Sequence, residues 1–144
     1  MLCCIGMFPT LFEKREVLIR SRLNGDYNPL HADPAPGNAM GFGGVILHGL
    51  IAWNISAHAI LREICGSNGN NFKEFSARFA APVLPGDKLL IEIWRMGVSS
   101  DGWEEVRFTT RVDGGKVCLK GGRAIVRAVE SPGNLDSKHP RSVL

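Results

Sequence analysis

The residues of this chain with the clearest chemical potential lie between Gly25 and His31. Asp26 and His31 are five positions apart, with Pro29 between them. Proline excludes a regular helix and favours extended geometry at the preceding Asn28, so the two side chains would have to meet across a loop. A carboxylate beside an imidazole can exchange a proton with a substrate or a water near neutral pH. The spacing alone favours a simpler interpretation, an Asx-Pro turn with Asp26 bonding local backbone and His31 closing a helix start.

Composition narrows the classes of partner and cofactor. The 144 residues suit one domain, and a formal charge of +3, with the basic residues scattered among acids, predicts no nucleic-acid partner. No apolar run approaches the about 20 residues that a membrane span requires. The cysteines form no C-x-x-C pair and have no histidine at ligand spacing, which argues against a zinc site and favours reduced thiols in an intracellular compartment. We expect no metal and no cofactor. They are Cys3, Cys4, Cys65 and Cys118.

The first third of the chain predicts short elements around the candidate loop. Met1–Phe12 is apolar and broken by glycine and proline; it has no signal-peptide pattern and predicts a first strand. Glu13–Leu23 predicts a short helix that Gly25 would end. Asp33 and Pro34 fit the cap and first position of a brief helix. The glycine-rich segment after it, 37–44, fits either a substrate-adapting lid or a surface turn.

The remainder of the chain predicts an α+β fold. Leu47–Cys65 is apolar on more than one face, which predicts a long helix buried nearly all round and ending at Gly66. A period of two then predicts four antiparallel strands, with a hairpin at 113–115 and a β-bulge at Gly121–Gly122. The predicted strands are Phe72–Val83, Lys88–Met96, Trp103–Val112 and Lys116–Val129.

Four segments, in order, resemble the MaoC-like, or type 2, enoyl-CoA hydratases. The first, GDYNPLHADP at 25–34, is long enough to be specific. The others are Gly41-Phe42, ILHGL at 46–50, and ARFA at 77–80 running into Pro82-Val83 and Pro85-Gly86. The resemblance covers roughly residues 17 to 129. It implies a hot-dog fold, with a curved antiparallel sheet around the long helix, and reversible addition of water to a trans-2-enoyl thioester to give the (R)-3-hydroxyacyl thioester.

The resemblance also gives roles to particular residues. Asp26 would be the base toward the water and His31 its partner in proton delivery. Gly49 would let the thioester approach the free N–H groups at the start of the long helix, which stabilise a developing oxyanion. Asn28 would bind substrate or hold the loop, and an Asx turn before proline does not exclude either.

Other polar residues have weaker claims. His48, at the start of the apolar helix, fits a capping or packed residue better than a second base. His58 lies within the helix without an acidic neighbour, and we treat it as structural. Arg78, Lys88 and Arg95 fit contacts to the phosphates of a pantetheine-linked carrier, although solvated strand faces have the same composition.

Several positions depart from the family pattern while Asp26, His31 and Gly49 are kept. Gly37 replaces an alanine or serine, and Gly44-Val45 replaces a Lys-Pro type pair. Glycines there would widen or soften the pocket wall, so we expect an unusual, biosynthetic substrate. The other departures are Ser21 and Asn24.

These observations predict one MaoC-like hot-dog domain at 1–130 and a disordered tail at 131–144. The expected activity is that of a hydro-lyase on an acyl-CoA or a carrier-bound substrate. The alternatives are a dehydratase or isomerase on a small molecule outside coenzyme A metabolism, a thioesterase, and a non-catalytic acyl-binding module. The family resemblance implies a homodimer. The C-terminal residues SVL are not the SKL peroxisomal signal, so a cytoplasmic location is expected.

Overall fold

The computed structural model describes residues 3–9, 23 and 25–129, and within these it is a curved five-stranded antiparallel sheet packed on one long helix. The strand order is β1-β3-β4-β5-β2, which places β1 and β2 at the edges. The helices are α1 (Pro34–Ala39) and α2 (Gly49–Cys65), with short 3-10 helices at Pro29–His31 and Gly69–Asn71. The strands are β1 (Cys3–Pro9), β2 (Phe72–Phe79), β3 (Lys88–Val98), β4 (Glu104–Val112) and β5 (Val117–Val126).

Helix α2 begins and ends at residues that supply the missing backbone partners. The His48 side chain accepts a hydrogen bond from Leu50 N–H at the start, and Gly66 takes the left-handed conformation (φ 61°) at the end. The prediction that α2 is buried nearly all round is wrong. Residues four apart form an exposed stripe because they share one face of the helix. They are Leu50, Asn54, His58 and Arg62.

The sheet alternates as predicted. Val106, Phe108 and Thr110 of β4 are buried against α2, whereas Arg107 between them is exposed. Phe108 stacks on Phe75 of β2, with ring centroids 4.7 Å apart.

The predicted bulge in β5 is present. Ser76 pairs with Arg123 but Arg78 pairs with Lys120, so β5 carries one extra residue there, and Gly121 has φ 61°. The bulge increases the bend with which the sheet curves around the helix.

A buried polar contact fixes α2 on the sheet. The Ser56 hydroxyl donates to the Ala52 carbonyl oxygen (2.8 Å) and lies 2.7 Å from the Thr110 hydroxyl of β4. Both residues are fully buried, so the hydroxyls satisfy one another where water cannot reach. The contact lies two turns into the helix and therefore anchors its N-terminal half.

The predicted first strand is confirmed at Cys3–Pro9, which pairs antiparallel with β3. The predicted helix Glu13–Leu23, apart from Leu23, and the predicted tail 131–144 lie outside the described residues. Among the residues that are described, no helix is long and apolar enough to cross a membrane.

Candidate active site

The loop that precedes the 3-10 helix Pro29–His31 positions Asp26 through its own short-range hydrogen bonds. Asp26 Oδ1 accepts from the Asn28 N–H (2.9 Å), and Asn28 Oδ1 accepts from the Leu30 N–H (3.0 Å) as the cap of the 3-10 helix. These are the Asx turns that the sequence also allowed. Asn28 therefore holds the loop, and the turn leaves the second carboxylate oxygen of Asp26 available to the rest of the site.

The structure brings Asp26 and His31 together, and it adds a second histidine. Asp26 Oδ2 lies 3.6 Å from His31 Nε2 and 2.8 Å from His48 Nε2. The two imidazole rings lie 5.1 Å apart between centroids. His31 is buried, whereas Asp26 and His48 are half-buried. The expected cap at His48 is present, but the same ring is also the nearest side-chain partner of Asp26, which the sequence analysis missed.

Hydrogen-bond partners assign opposite tautomers to the two neutral rings. His31 Nδ1 lies 3.0 Å from the Ile46 carbonyl oxygen, which can only accept, so Nδ1 carries the hydrogen and Nε2 has a free lone pair. His48 Nδ1 accepts from the Leu50 N–H (3.1 Å), so its Nε2 carries the hydrogen and donates it to Asp26. The 3.6 Å between His31 Nε2 and Asp26 Oδ2 is too long for a hydrogen bond and leaves both atoms as acceptors.

The surroundings of Asp26 keep its carboxylate ionised. The Asn28 amide lowers the pKa of Asp26 below its ordinary value and partial desolvation opposes this. Electrostatic interaction with His31 and His48, and the hydrogen bond from His48, lower the pKa further. A carboxylate held ionised by two donors is a weak proton acceptor and a strong electrostatic partner for a nearby imidazolium.

The start of α2 presents one backbone amide to the site. Leu50 N–H is bonded to the His48 ring and Ile51 N–H to the His48 carbonyl oxygen (2.9 Å), whereas Gly49 N–H has no partner among the described residues. A Cβ at Gly49 would lie 2.8 Å from the Phe79 ring. Glycine therefore keeps this amide accessible at the positive end of the helix dipole.

An apolar cavity of about 450 Å³ opens beside these groups. Its lining includes His31, His48 and Gly49, with Phe42 and Phe79 among the apolar walls. Asp26 does not line the cavity and contacts the site through the two histidines. The cavity can take an apolar chain whose polar end lies against Gly49 and His31.

The glycine-rich segment after α1 forms part of this wall by close packing. A Cβ at Gly37 would lie only 1.7 Å from the Gly44 carbonyl oxygen, and Phe42 N–H donates to the Gly37 carbonyl oxygen (2.8 Å). The expectation that Gly37 and Gly44 widen or soften the wall is therefore not what the packing shows, since here they let the segment lie directly on α1. Movement of this segment as a lid stays a prediction.

The remaining candidates lie outside the cavity. Arg95 makes a two-point ion pair with Glu104 (2.6 and 2.7 Å), and Glu104 is buried, so this arginine has a structural partner. Arg78 and Lys88 are exposed on the sheet, and their contact with a carrier stays a prediction.

The Asp26, His31 and His48 ligand atoms lie within 4.8 Å of one another, which is close enough to surround a metal ion. Metal binding at His48 Nε2 would require a lone pair there, and the Leu50 N–H holds the ring in the other tautomer. The donor set therefore does not fit a metal ion, and a metal-free site stays our prediction.

Fold and site together define a hot-dog domain with a cluster of one aspartate and two histidines at the start of its central helix. A family model described as "MaoC like domain" matches residues 15–116. The chain therefore belongs to the MaoC-like domain family.

Relatives and solved structures agree with this assignment. "Probable dehydratase NIT22" of Ajellomyces capsulatus is 47% identical over 115 residues, covering 74% of this chain. "3-hydroxyacyl-thioester dehydratase Y" of Mycobacterium tuberculosis is 43% identical over 75 residues, covering 51% of this chain and 26% of that protein. The chain spans 30% of the length of the first of these relatives.

Among solved structures, a MaoC-like dehydratase from Phytophthora capsici superposes with a TM-score of 0.75 at 31% identity, over 88% of this chain and 42% of that one. The (R)-hydratase from A. caviae involved in PHA biosynthesis superposes with a TM-score of 0.73 at 24% identity, over 90% and 97% of the two chains, and shows the same fold.

Proposed function

We propose that this chain is a hydro-lyase that interconverts trans-2-enoyl and (R)-3-hydroxyacyl thioesters by adding or removing water. The observation that carries the proposal is the convergence of three groups beside an apolar cavity. These are the His31 Nε2 lone pair, the Asp26 carboxylate 3.6 Å from it, and the Gly49 amide. Adding water to an enoyl thioester requires a proton acceptor beside the water and a donor toward the thioester oxygen.

In the hydration direction we assign proton uptake to His31. The sequence expectation gave this step to Asp26, and we reverse the roles for two reasons. The Asp26 carboxylate already accepts hydrogen bonds from Asn28 and His48, which weaken it as a base. His31 has the unprotonated nitrogen and lines the cavity, which Asp26 does not. His31 Nε2 and Asp26 Oδ2 are both acceptors, and one water could donate a hydrogen to each of them.

The reaction then proceeds with one proton relay. The water oxygen bonds to C3 as one water proton passes to His31 Nε2, and the electron pair of the 2,3 double bond moves toward the thioester. The Gly49 N–H stabilises the charge that develops on the thioester oxygen. The His31 imidazolium, stabilised by ionised Asp26, returns the proton to C2. The second water hydrogen stays on the new hydroxyl group, and dehydration follows the same steps in reverse.

The test is a panel of trans-2-enoyl and 3-hydroxyacyl thioesters, on coenzyme A and on carrier protein, incubated with wild type, Asp26→Asn and His31→Ala. Conversion by wild type and its loss in both variants would support hydro-lyase chemistry. Release of free thiol would support a thioesterase instead. No turnover of any substrate, combined with acyl binding, would support the non-catalytic module.

The physiological direction we favour is dehydration in a specialised biosynthetic pathway. The support is the 47% identity to a protein named as a probable dehydratase. The test of this direction is to measure the consumption of a 3-hydroxyacyl thioester while the enoyl product is continuously removed. Conversion of a free 3-hydroxy acid in place of a thioester would support the small-molecule dehydratase.

We also propose a homodimer in a reducing, intracellular compartment. Leu50 at the start of α2 and Phe79 on edge strand β2 line the cavity yet are 50% and 56% exposed, so a second copy would cover an apolar surface beside the site. Cys65 and Cys118 are buried free thiols, which a cytoplasmic location would keep reduced. Activity that is lost on dilution into monomers would support the dimer, whereas a fully active monomer in sedimentation would contradict it.

A further inference from the structure

We propose that His48 is a positioning residue whose ring joins the start of helix α2 to Asp26 and so fixes the acid–base pair relative to the Gly49 amide. The inference rests on the proposed function, since it concerns the same site. It differs from the sequence expectation, in which His48 only caps or packs.

The two nitrogens of the rigid His48 ring make two separate contacts. His48 Nδ1 accepts from Leu50 N–H at 3.1 Å, and His48 Nε2 lies 2.8 Å from Asp26 Oδ2. The helix N–H can only donate and the ionised carboxylate can only accept. Each contact therefore requires the same tautomer, and the two reinforce one another.

The ring also determines which helix amide is left for the substrate. Its Nδ1 bonds to Leu50 N–H, and its own carbonyl oxygen bonds to Ile51 N–H at 2.9 Å. Only Gly49 N–H, of these first three amides, is left without a partner among the described residues. The His48 ring thus fixes the Gly49 N–H, the oxyanion donor, relative to the Asp26 carboxylate, the charged partner of His31.

The orientation of Asp26 depends on this link because its other restraint is local. Oδ1 is held by Asn28 N–H within the same turn, at an exposed position. The bond from His48 Nε2 ties Asp26 Oδ2 directly to the residue that caps α2, and His48 is half-buried with its ring 5.1 Å from that of His31. Loss of the bond would leave the Asp26 carboxylate free to rotate away from α2, while the Ile46 bonds to His31 and Leu30 still hold the end of the loop.

The decisive variant is His48→Asn, because asparagine caps helices well but is too short to replace both nitrogens of the ring. We expect His48→Asn to keep the thermal midpoint of the wild type and to lower kcat by about 10-fold to 100-fold, with a smaller change in KM. His48→Ala, which removes both contacts, should lower kcat to a similar extent and lower the thermal midpoint as well. His58→Asn, on the exposed stripe of the same helix, is the matched control and should leave both quantities unchanged.

A purely structural cap predicts the opposite result, namely that His48→Asn restores the wild-type kcat, and that result would overturn the proposal. The coupling to Asp26 is checked in a double-mutant cycle. In the Asp26→Asn background the His48→Asn substitution should cost little further activity, and full additivity would count against the link.

A substrate-independent readout separates this inference from the proposed function. Nitrogen-15 NMR of the wild-type side chains, at a pH where both rings are neutral, should find the hydrogen on Nε2 of His48 and on Nδ1 of His31. This pattern would support the link even if no thioester were turned over. A hydrogen on Nδ1 of His48 would overturn it whatever the activity.

Discussion

Replacement of Asp26 by asparagine keeps the shape of the side chain and changes its hydrogen bonding and charge. The two carboxylate oxygens accept from Asn28 N–H at 2.9 Å and from His48 Nε2–H at 2.8 Å. An amide has only one acceptor oxygen, so its NH₂ group would face one of these donors in either orientation. The variant also removes the negative charge that lies 3.6 Å from His31 Nε2 and would stabilise the imidazolium of the proposed mechanism.

Both effects act on the proton relay, which typically contributes about 10²–10⁴-fold to a rate. We therefore expect Asp26→Asn to lower kcat by at least about 10²-fold, within that range. KM should change little, because Asp26 does not line the cavity. The assay is the initial rate of enoyl-thioester hydration, followed by the loss of ultraviolet absorbance of the conjugated thioester, with circular dichroism to verify folding.

The matched control is Asp33→Asn. Asp33 lies in the same loop and caps α1 by accepting from Ala35 N–H at 2.9 Å, and asparagine is an equally good cap. The control should keep wild-type kcat. A kcat of Asp26→Asn within tenfold of wild type would refute the role assigned to Asp26, as would a loss of activity in the control as large as that in the site variant.

Two closely packed glycines and one buried thiol lead to three further expected outcomes. Gly49→Ala should lower kcat by about 10²–10³-fold with little change in stability, because its Cβ, 2.8 Å from the exposed Phe79 ring, crowds the oxyanion donor; steady-state kinetics and thermal unfolding check this. Gly37→Ala should destabilise the fold by about 1–3 kcal/mol and change the acyl-chain preference, because its Cβ meets the Gly44 carbonyl oxygen at 1.7 Å; denaturant unfolding and a chain-length series measure both. Burial, together with the charge of Glu104, raises the pKa of Cys65 to about 11, so only about one Cys65 thiol in a thousand is ionised at pH 8. Alkylation of Cys65 should therefore require unfolding. Mass spectrometry of labelled peptides with and without denaturant measures the extent of alkylation.

The control for the two glycine variants is the same glycine-to-alanine change at a position with free space. Gly69→Ala adds a Cβ with no atom within 4 Å and without positive φ, and it should leave kcat and stability unchanged. Wild-type stability in Gly37→Ala would contradict the close approach to Gly44. Rapid alkylation of Cys65 in the folded protein would contradict its burial.

Much of the fold could be predicted from the sequence, because strand alternation, bulges and helix caps depend on residues that are close together in the chain. The alternation through β4 and the glycine pair at 121–122 predicted the buried face and the bulge. Both are observed, since side-chain direction in a strand follows a period of two. The Asp33-Pro34 pair predicted the start of α1 for a similar reason. Leu47–Cys65 predicted α2, which begins at Gly49 because His48 forms its cap.

The parts that failed depend on contacts between distant segments. His48 was recognisable as a cap, but the partner of its second nitrogen depends on where the 25–31 loop lies. That position is set by the Ile46 backbone, whose carbonyl oxygen binds His31 Nδ1 and whose N–H donates to the Leu30 carbonyl oxygen at 3.3 Å. No local pattern encodes such a pairing. The His-Gly pair at a helix start, within reach of an Asp/His loop, is the signal that could have indicated it.

The exposed stripe of α2 was missed for a different reason. Leu50 and Arg62 lie on one helical face, but alanines and isoleucines at the intervening positions made the segment look uniformly apolar. The spacing of four, and not the overall hydropathy, carried the information.

The dual attachment of the His48 ring has a consequence for how the protein would lose activity on heating. Helix ends fray before the middle of a helix does, and the deep anchor of α2 at Ser56 lies beyond the first turn. Melting of that turn would release the His48 ring and, with it, the Asp26 carboxylate. The same event would displace the Gly49 N–H while the sheet stayed folded. Inactivation would therefore precede global denaturation, and a preparation that still shows full circular dichroism could already be catalytically dead.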